Sequence, residues 1–117
     1  MNNETATPGI RIKVYVREDM IGMGKIDLLR LVAAEGSARA AAAKMGVNRE
    51  RASFLLDTLQ RCFEAPLLAP EGADAWEATR LTPLGEELIR RHDAHLEAVA
   101  AASGDYLDWL EGVQRQA

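Results

Sequence analysis

The stretch Gly36–Phe63, GSARAAAAKMGVNRERASFLLDTLQRCF, constrains this chain more than any other, because it favours one local arrangement: a short helix, a three-residue turn and a longer helix. Ser37 is placed to cap a first helix over Ala38–Met45, its hydroxyl accepting a free N–H of the opening turn. Gly46 ends that helix, since glycine enters the left-handed conformation without a Cβ penalty and lets the chain turn sharply. Asn48 caps the next helix, and Glu50 falls in its first turn, where the helix dipole favours negative charge. Two helices joined by so short a turn must press together Ala41, Met45, Val47, Ala52 and Leu55, with Ala42 small where the backbones approach.

The second helix is expected to run to Phe63. Ala52, Leu55, Leu56, Leu59 and Phe63 form its apolar stripe, and Glu50, Phe54, Asp57 and Arg61 face outward. Upstream, Arg11–Arg17 (RIKVYVR) alternates strictly, which predicts a half-buried strand with Ile12, Val14 and Val16 on one side and Arg11, Lys13, Tyr15 and Arg17 on the other. Gly22 and Gly24 mark a turn, after which Lys25–Glu35 carries Ile26, Leu28, Leu29, Val32 and Ala33 at helical spacing.

Downstream, Pro66–Leu68 and Thr79–Leu81 are short extended pieces around the loop APEGADAWEA, and predict a hairpin whose sheet the first strand joins. Thr82 and Pro83 then open a long helix as cap and first-turn proline, with Glu86 and Glu87 near the positive end of its dipole. Ile89, His92, Leu96 and Val99 recur along it at spacings of three and four. Ser103-Gly104 breaks the helix, and Asp105–Val113 predicts a last short one with Tyr106, Trp109, Leu110 and Val113 on one side.

The expected fold is therefore mainly α with a small β-sheet, a winged helix-turn-helix with a long C-terminal dimerisation helix. Residues 1–10 are expected to be a disordered tail, 11–82 the winged helix-turn-helix, and 83–117 the dimerisation region. A lone apolar stripe on a terminal helix calls for a partner helix, so Ile89, Leu96, Val99, Tyr106, Trp109 and Leu110 are the expected dimer contacts.

Composition removes several function classes. A chain of 117 residues is expected to build one core. Met1–Gly9 is polar and no apolar run approaches about 18 residues, so neither secretion nor membrane insertion is expected, and the cytoplasm is the expected location. Cys62 is the only cysteine, which excludes an internal disulfide and a cysteine-built zinc site; it reads as a small buried hydrophobe. His92 and His95 share a helix face without a third ligand, so no metal site is expected. No nucleophile–base pair, glycine-rich phosphate loop or carboxylate pair stands out, and the chain is not expected to be an enzyme.

GKIDLLRLVAAEGSARAAAAKMGVNRERASFLLDTLQRCFEAPLL, followed by a variable loop and ATRLTPLGEELI, resembles the N-terminal winged-helix domain of ModE-type molybdate-responsive regulators and, more distantly, the DNA-binding domain of LysR-type regulators. The resemblance covers about Arg11 to Ala101 and rests most on the RIKVYVR strand before GMGKIDLL, the GS-x-x-x-AA-x-x-MGV core and LTPLGEEL. It implies that Asn48–Phe63 is a recognition helix and that Pro83–Ala102 contributes to a dimer. Full-length members of that family carry C-terminal oxyanion-binding domains, for which these residues leave no room, so no cofactor is expected.

Two functions follow as expectations. The first is a homodimeric transcriptional regulator that puts Asn48–Thr58 into the major groove of double-stranded DNA. Arg49 and Ser53 would then touch bases or phosphates, Arg39, Lys44 and Arg51 phosphates, and Phe54 a thymine methyl. Asn48 and Thr58 belong to the same expected interface. The second is a protein-interaction module that keeps the scaffold without binding DNA and uses the acidic wing and Trp76 as its contact surface. Charge separates them: Asn48–Arg61 carries net +1, whereas Glu64–Arg80 carries net −3, and the whole chain −4. A wing of that sign is repelled by phosphates.

Overall fold

A computed structural model describes residues 8–115, so most of the expected N-terminal tail, and the last two residues of the C-terminal region, lie outside the described residues. The chain runs β1 (Lys13–Val16), β2 (Asp19–Gly22), α1 (Met23–Glu35), α2 (Ala38–Met45), α3 (Arg49–Gln60), β3 (Leu68–Pro70), β4 (Thr79–Leu81), α4 (Pro83–Ala102) and α5 (Gly104–Val113). It is mainly helical, with two separate two-stranded antiparallel sheets.

Contrary to the expectation that it joins the sheet of the later hairpin, the first strand lies in a sheet of its own. It turns back on itself through Arg17-Glu18 and pairs with β2, with Val16 opposite Asp19 and Lys13 opposite Gly22. The missed strand explains the lighter burial of the first: with one partner and a free outer edge, Val14 stays exposed while Val16 reaches the core. Ile21 of β2 supplies the buried contact instead. Helix α1 begins two residues earlier than expected, at Met23, and Gly24 lies inside its first turn rather than in a loop. Lys25, buried, donates from Nζ to the Met20 carbonyl at 2.8 Å and so ties β2 to the helix that follows it.

Helix α1 is the central element. Ile26 and Leu29 face one cluster, which includes Ile21, Leu59 and Leu67 and is completed by Leu84, Leu88 and Ile89 of α4. Leu28 and Val32 face a second cluster with Ala41, Ala42 and Ala52, flanked by Met45, Val47 and Leu55. The second cluster holds the residues expected to press α2 against α3. Alanines there let the helix axes approach closely, and the bulk comes from α1. Ala33, expected on the core side of α1, is exposed.

The local signals fix the α2–α3 connection. Ser37 Oγ accepts from Ala40 N at 3.0 Å, Asn48 Oδ1 accepts from Arg51 N at 2.7 Å, and Gly46 sits at φ 82°. Helix α3 stops at Gln60 rather than Phe63. Its Gln60 side chain donates to the Ala65 carbonyl and accepts from Leu67 N, both at 2.8 Å, so the chain is bent toward β3 before Pro66. The first strand of the later hairpin starts at Leu68, two residues beyond the expected position. Helix α4 spans Pro83–Ala102 as expected, with Thr82 Oγ1 accepting from Gly85 N at 3.1 Å. Gly85 is buried against the Leu67 backbone, just before β3, and Leu81 of β4.

Candidate nucleic-acid interface

The outward face of α3 follows from its period. Ala52 and Leu59 are buried, which leaves Arg49, Glu50, Arg51, Phe54, Asp57 and Arg61 exposed. Phe54 is 53% exposed, and the Arg51 guanidinium lies 5.4 Å from its ring centroid. Ser53 is half-buried at the margin of this face. Lys44 is exposed at the end of α2, in its last turn, where a cation complements the helix dipole. Asn48 is exposed, but its side-chain oxygen is committed to capping α3, which leaves its amide nitrogen as the group able to reach outward.

Thr58 does not belong to this face. Its relative exposure is 4%, and its hydroxyl donates to the carbonyls of Phe54 at 2.8 Å and Leu55 at 3.2 Å. A threonine inside a helix that bonds back to the preceding turn satisfies its own hydroxyl and can be buried, which its polarity in the sequence concealed.

The β3–β4 loop covers the start of α2. Ala38 N donates to the Ala75 carbonyl and Arg39 N to the Trp76 carbonyl, each at 3.0 Å, and Thr79 N donates to the Gly36 carbonyl at 2.9 Å. With Ser37 Oγ on Ala40 N, the first three N–H groups of α2 are all paired within the chain. Trp76 is half-buried against the second core cluster. The Arg49 and Arg39 guanidinium carbons lie 4.6 and 5.9 Å from its ring centroid. Arg39 is also paired with Glu77, and Arg80 with Glu71. Asp74 Oδ1 accepts from Glu77 N at 3.1 Å.

These contacts alter the charge reading made from sequence. The hairpin is acidic, but two of its carboxylates already face arginines, one of them on α2. Glu77 and Trp76 are therefore partners of the expected interface rather than a surface apart from it. Nothing local in the sequence marks this, because the contacts join a loop to helices that precede it by many residues.

At the far end of α3, Arg61 and Asp19 form a two-point ion pair, Nε to Oδ2 at 3.1 Å and the terminal nitrogen to Oδ1 at 2.7 Å. Hydrogen bonding to Arg61 holds the Asp19 carboxyl below the usual carboxylate range. On α1, Arg30 does the same to Asp93 of α4 through two bonds of 2.8 Å. Cys62 lies just past α3, its thiol 3.7 Å from the Thr58 carbonyl, and burial pushes its pKa up.

Of the residues expected at a dimer contact, Ile89 packs on the chain's own first cluster, which its place in a terminal stripe did not indicate. Leu96, Val99 and Leu110 are half-buried, while Tyr106 and Trp109 are exposed with their rings stacked at 6.5 Å. His92 lies on the inner side of α4 with its side chain 7% exposed, whereas His95 is exposed, so the two histidines do not present a common pair of ligands. Among the described residues no group of three His, Cys, Asp or Glu side chains could hold a metal ion, and no helix is long and apolar enough to cross a membrane.

Comparison with known protein families finds no family model that matches the chain, and comparison with curated proteins finds no match.

Proposed function

We propose that this chain is a DNA-binding transcriptional regulator of the winged helix-turn-helix type, with α3 as its recognition helix, β3–β4 as its wing and α4–α5 as its homodimer contact. The observation that carries the reading is the exposed face at the start of α3. Arg49, Arg51 and Phe54 project from a helix whose entry is fixed by Gly46 and Asn48, and among the described residues neither arginine faces a carboxylate. An exposed phenyl ring between cations suits a major groove, where base edges and thymine methyls lie inside two rows of phosphates.

In this reading Arg49 and Ser53 reach base edges, Asn48 offers its amide, Phe54 meets a thymine methyl, and Arg51 and Lys44 meet phosphates. Arg39 joins them once phosphate replaces Glu77 beside it. The wing keeps its net negative charge in such a complex, because the Arg80 that faces Glu71 is already counted in it and Arg39 leaves Glu77 when it meets phosphate, so the wing must lie off the backbone while α3 supplies the contacts. The alternative of a protein-docking wing loses its anchor, since Trp76 is packed against the domain under two arginines.

The test compares Arg49→Ala with Arg39→Ala on a preferred duplex and on random duplex. Arg49→Ala is expected to weaken the preferred site by about 1–3 kcal/mol and relax its preference, and Arg39→Ala to weaken both duplexes alike. Equal losses on both duplexes for Arg49→Ala would remove its base-reading role.

A further inference from the structure

Besides Lys44, Arg49, Arg51 and Arg115, which meet no carboxylate among the described residues, the exposed cations divide by whether they are paired. Arg30, Arg39, Arg61, Arg80, Arg90 and Arg91 each face a carboxylate. Among the described residues Arg11, Lys13 and Arg17 face none, although all three are exposed. Lys13 and Tyr15, the latter 73% exposed, lie two residues apart on β1 and so share a face about 6.6 Å apart; Arg11 lies just before the strand and Arg17 in the turn after it, so the β1–β2 hairpin carries three exposed, unpaired cations around one aromatic ring.

Exposed cations on an edge strand have a bland use, which is to discourage edge-to-edge pairing. Two observations go beyond it. Arg17 is the first central residue of the turn between Val16 and Asp19 and sits at φ 57°, the only non-glycine with positive φ among the described residues. Two-residue hairpin turns with positive φ at that position favour glycine, so an arginine there is held against its backbone preference. Edge protection does not need a cation at that position, and strained residues of this kind gather at functional sites. The second observation is location. Arg17 lines a shallow depression with Glu18, Asp19 and Arg61, in which the Asp19 carboxylate is taken up by Arg61, so the hairpin turn adjoins the far end of α3's outward face and is clamped there by the Arg61–Asp19 pair. From Arg51 to Arg61 an α-helix rises about 15 Å, more than the roughly 12 Å width of the major groove.

We infer that the β1–β2 hairpin is a second phosphate-binding surface, in which Arg11, Lys13 and Arg17 grip the DNA backbone on the side of the groove opposite Arg49 and Arg51. This rests on the reading of α3 as the helix that enters DNA. The grip adds affinity without sequence preference, and it places positive charge at the end of the molecule away from the acidic wing.

The test is a salt titration of duplex binding by the full chain, by Arg17→Gly and by the triple variant Arg11→Gln, Lys13→Gln, Arg17→Gln. Each lost phosphate contact lowers the slope of log affinity against log salt by about 0.9. Arg17→Gly is expected to lower the slope by about one while melting no lower than wild type, because glycine relaxes the turn. The triple variant is expected to lower it by between two and three, equally on preferred and random duplex. A wild-type slope in both variants overturns the hairpin's role and leaves the role of α3 standing. Absence of salt-dependent binding by the wild-type chain overturns both. Unchanged duplex binding by the triple variant, with loss of sedimentation on anionic phosphatidylserine vesicles, would assign these cations to a membrane surface and overturn the proposal.

Discussion

Arg49, the first residue of α3, lies over the ring of Trp76 at 4.6 Å, so the tip of the β3–β4 hairpin and the start of the outward-facing helix hold one another. Trp76 carries Arg39 on the same ring, at 5.9 Å, and the neighbouring Glu77 pairs with Arg39. The free protein thus occupies with its own side chains two of the cations assigned to DNA. In the proposed complex those contacts would be exchanged for phosphates and base edges.

Glu77→Gln removes the charge that competes for Arg39. The expected result is tighter DNA binding at low salt by up to about fivefold, the range of an exposed ion pair, with the gain fading as salt screens it. Replacing Glu71, Asp74 and Glu77 together by glutamine is expected to extend the gain. Fluorescence anisotropy across a salt series checks this. Unchanged affinity at low salt would mean that Glu77 does not compete with phosphate.

The parts of the fold that were legible in the sequence are those fixed by adjacent residues. Ser37, Gly46, Asn48 and Thr82 each decide a helix end through a bond within one turn, and each does so here. The parts that were not legible depend on distant partners or on strain. The Arg17-Glu18 turn carries no glycine or asparagine, so nothing local marks the hairpin it closes, and Gly22, which the sequence places in a turn, ends β2 instead. The end of α3 depends on where the Gln60 side chain finds the Ala65 carbonyl and Leu67 N. Glu50, Phe54, Asp57 and Arg61 are exposed as the period of α3 predicts, whereas the stacking of Trp76 on Arg49 has no local signal, since neither residue specifies the other.

Gly85 is where α4 passes close over the Leu67 backbone that leads into β3. A Cβ there would stand 2.6 Å from the Leu67 carbonyl oxygen, which already accepts from Thr82 N at 2.9 Å. Gly85→Ala is therefore expected to destabilise the protein by about 1–3 kcal/mol in urea unfolding, even though alanine is the better helix former. Equal or greater stability would show that the crossing has slack.

Stability should fall in acid through Asp19 and Asp93. Both carboxyls are held below their usual range by hydrogen bonds to Arg61 and Arg30. A depressed folded-state pKa contributes stability that is fully present above the unfolded value, near 3.9, and is lost as pH falls through the folded value. Thermal melts are expected to hold steady down to about pH 5 and decline below pH 4, less steeply in Asp19→Asn and Asp93→Asn. Equal acid sensitivity in both variants would exclude these pairs as the cause.

Helix α5 has ten residues and none is buried. A helix of that length is marginal in water on its own, and Tyr106, Trp109 and Val113 leave its apolar side open. Sedimentation at micromolar concentration is expected to give a dimer, and Trp109→Glu a monomer with less helix by circular dichroism. A monomeric wild type would remove the dimer and with it the expectation of a palindromic site.

The central claim is that α3 reads double-stranded DNA, and the most direct measurement is binding of the wild-type chain to duplexes enriched from a random library, set against unselected duplex at several salt concentrations. The account predicts an enriched sequence bound at least about tenfold tighter than random duplex, affinity that falls steeply with salt, and loss of that preference in Arg49→Ala. No enriched sequence, together with no binding of any duplex at low salt up to about 100 µM protein, the weak limit of non-specific association, would contradict it.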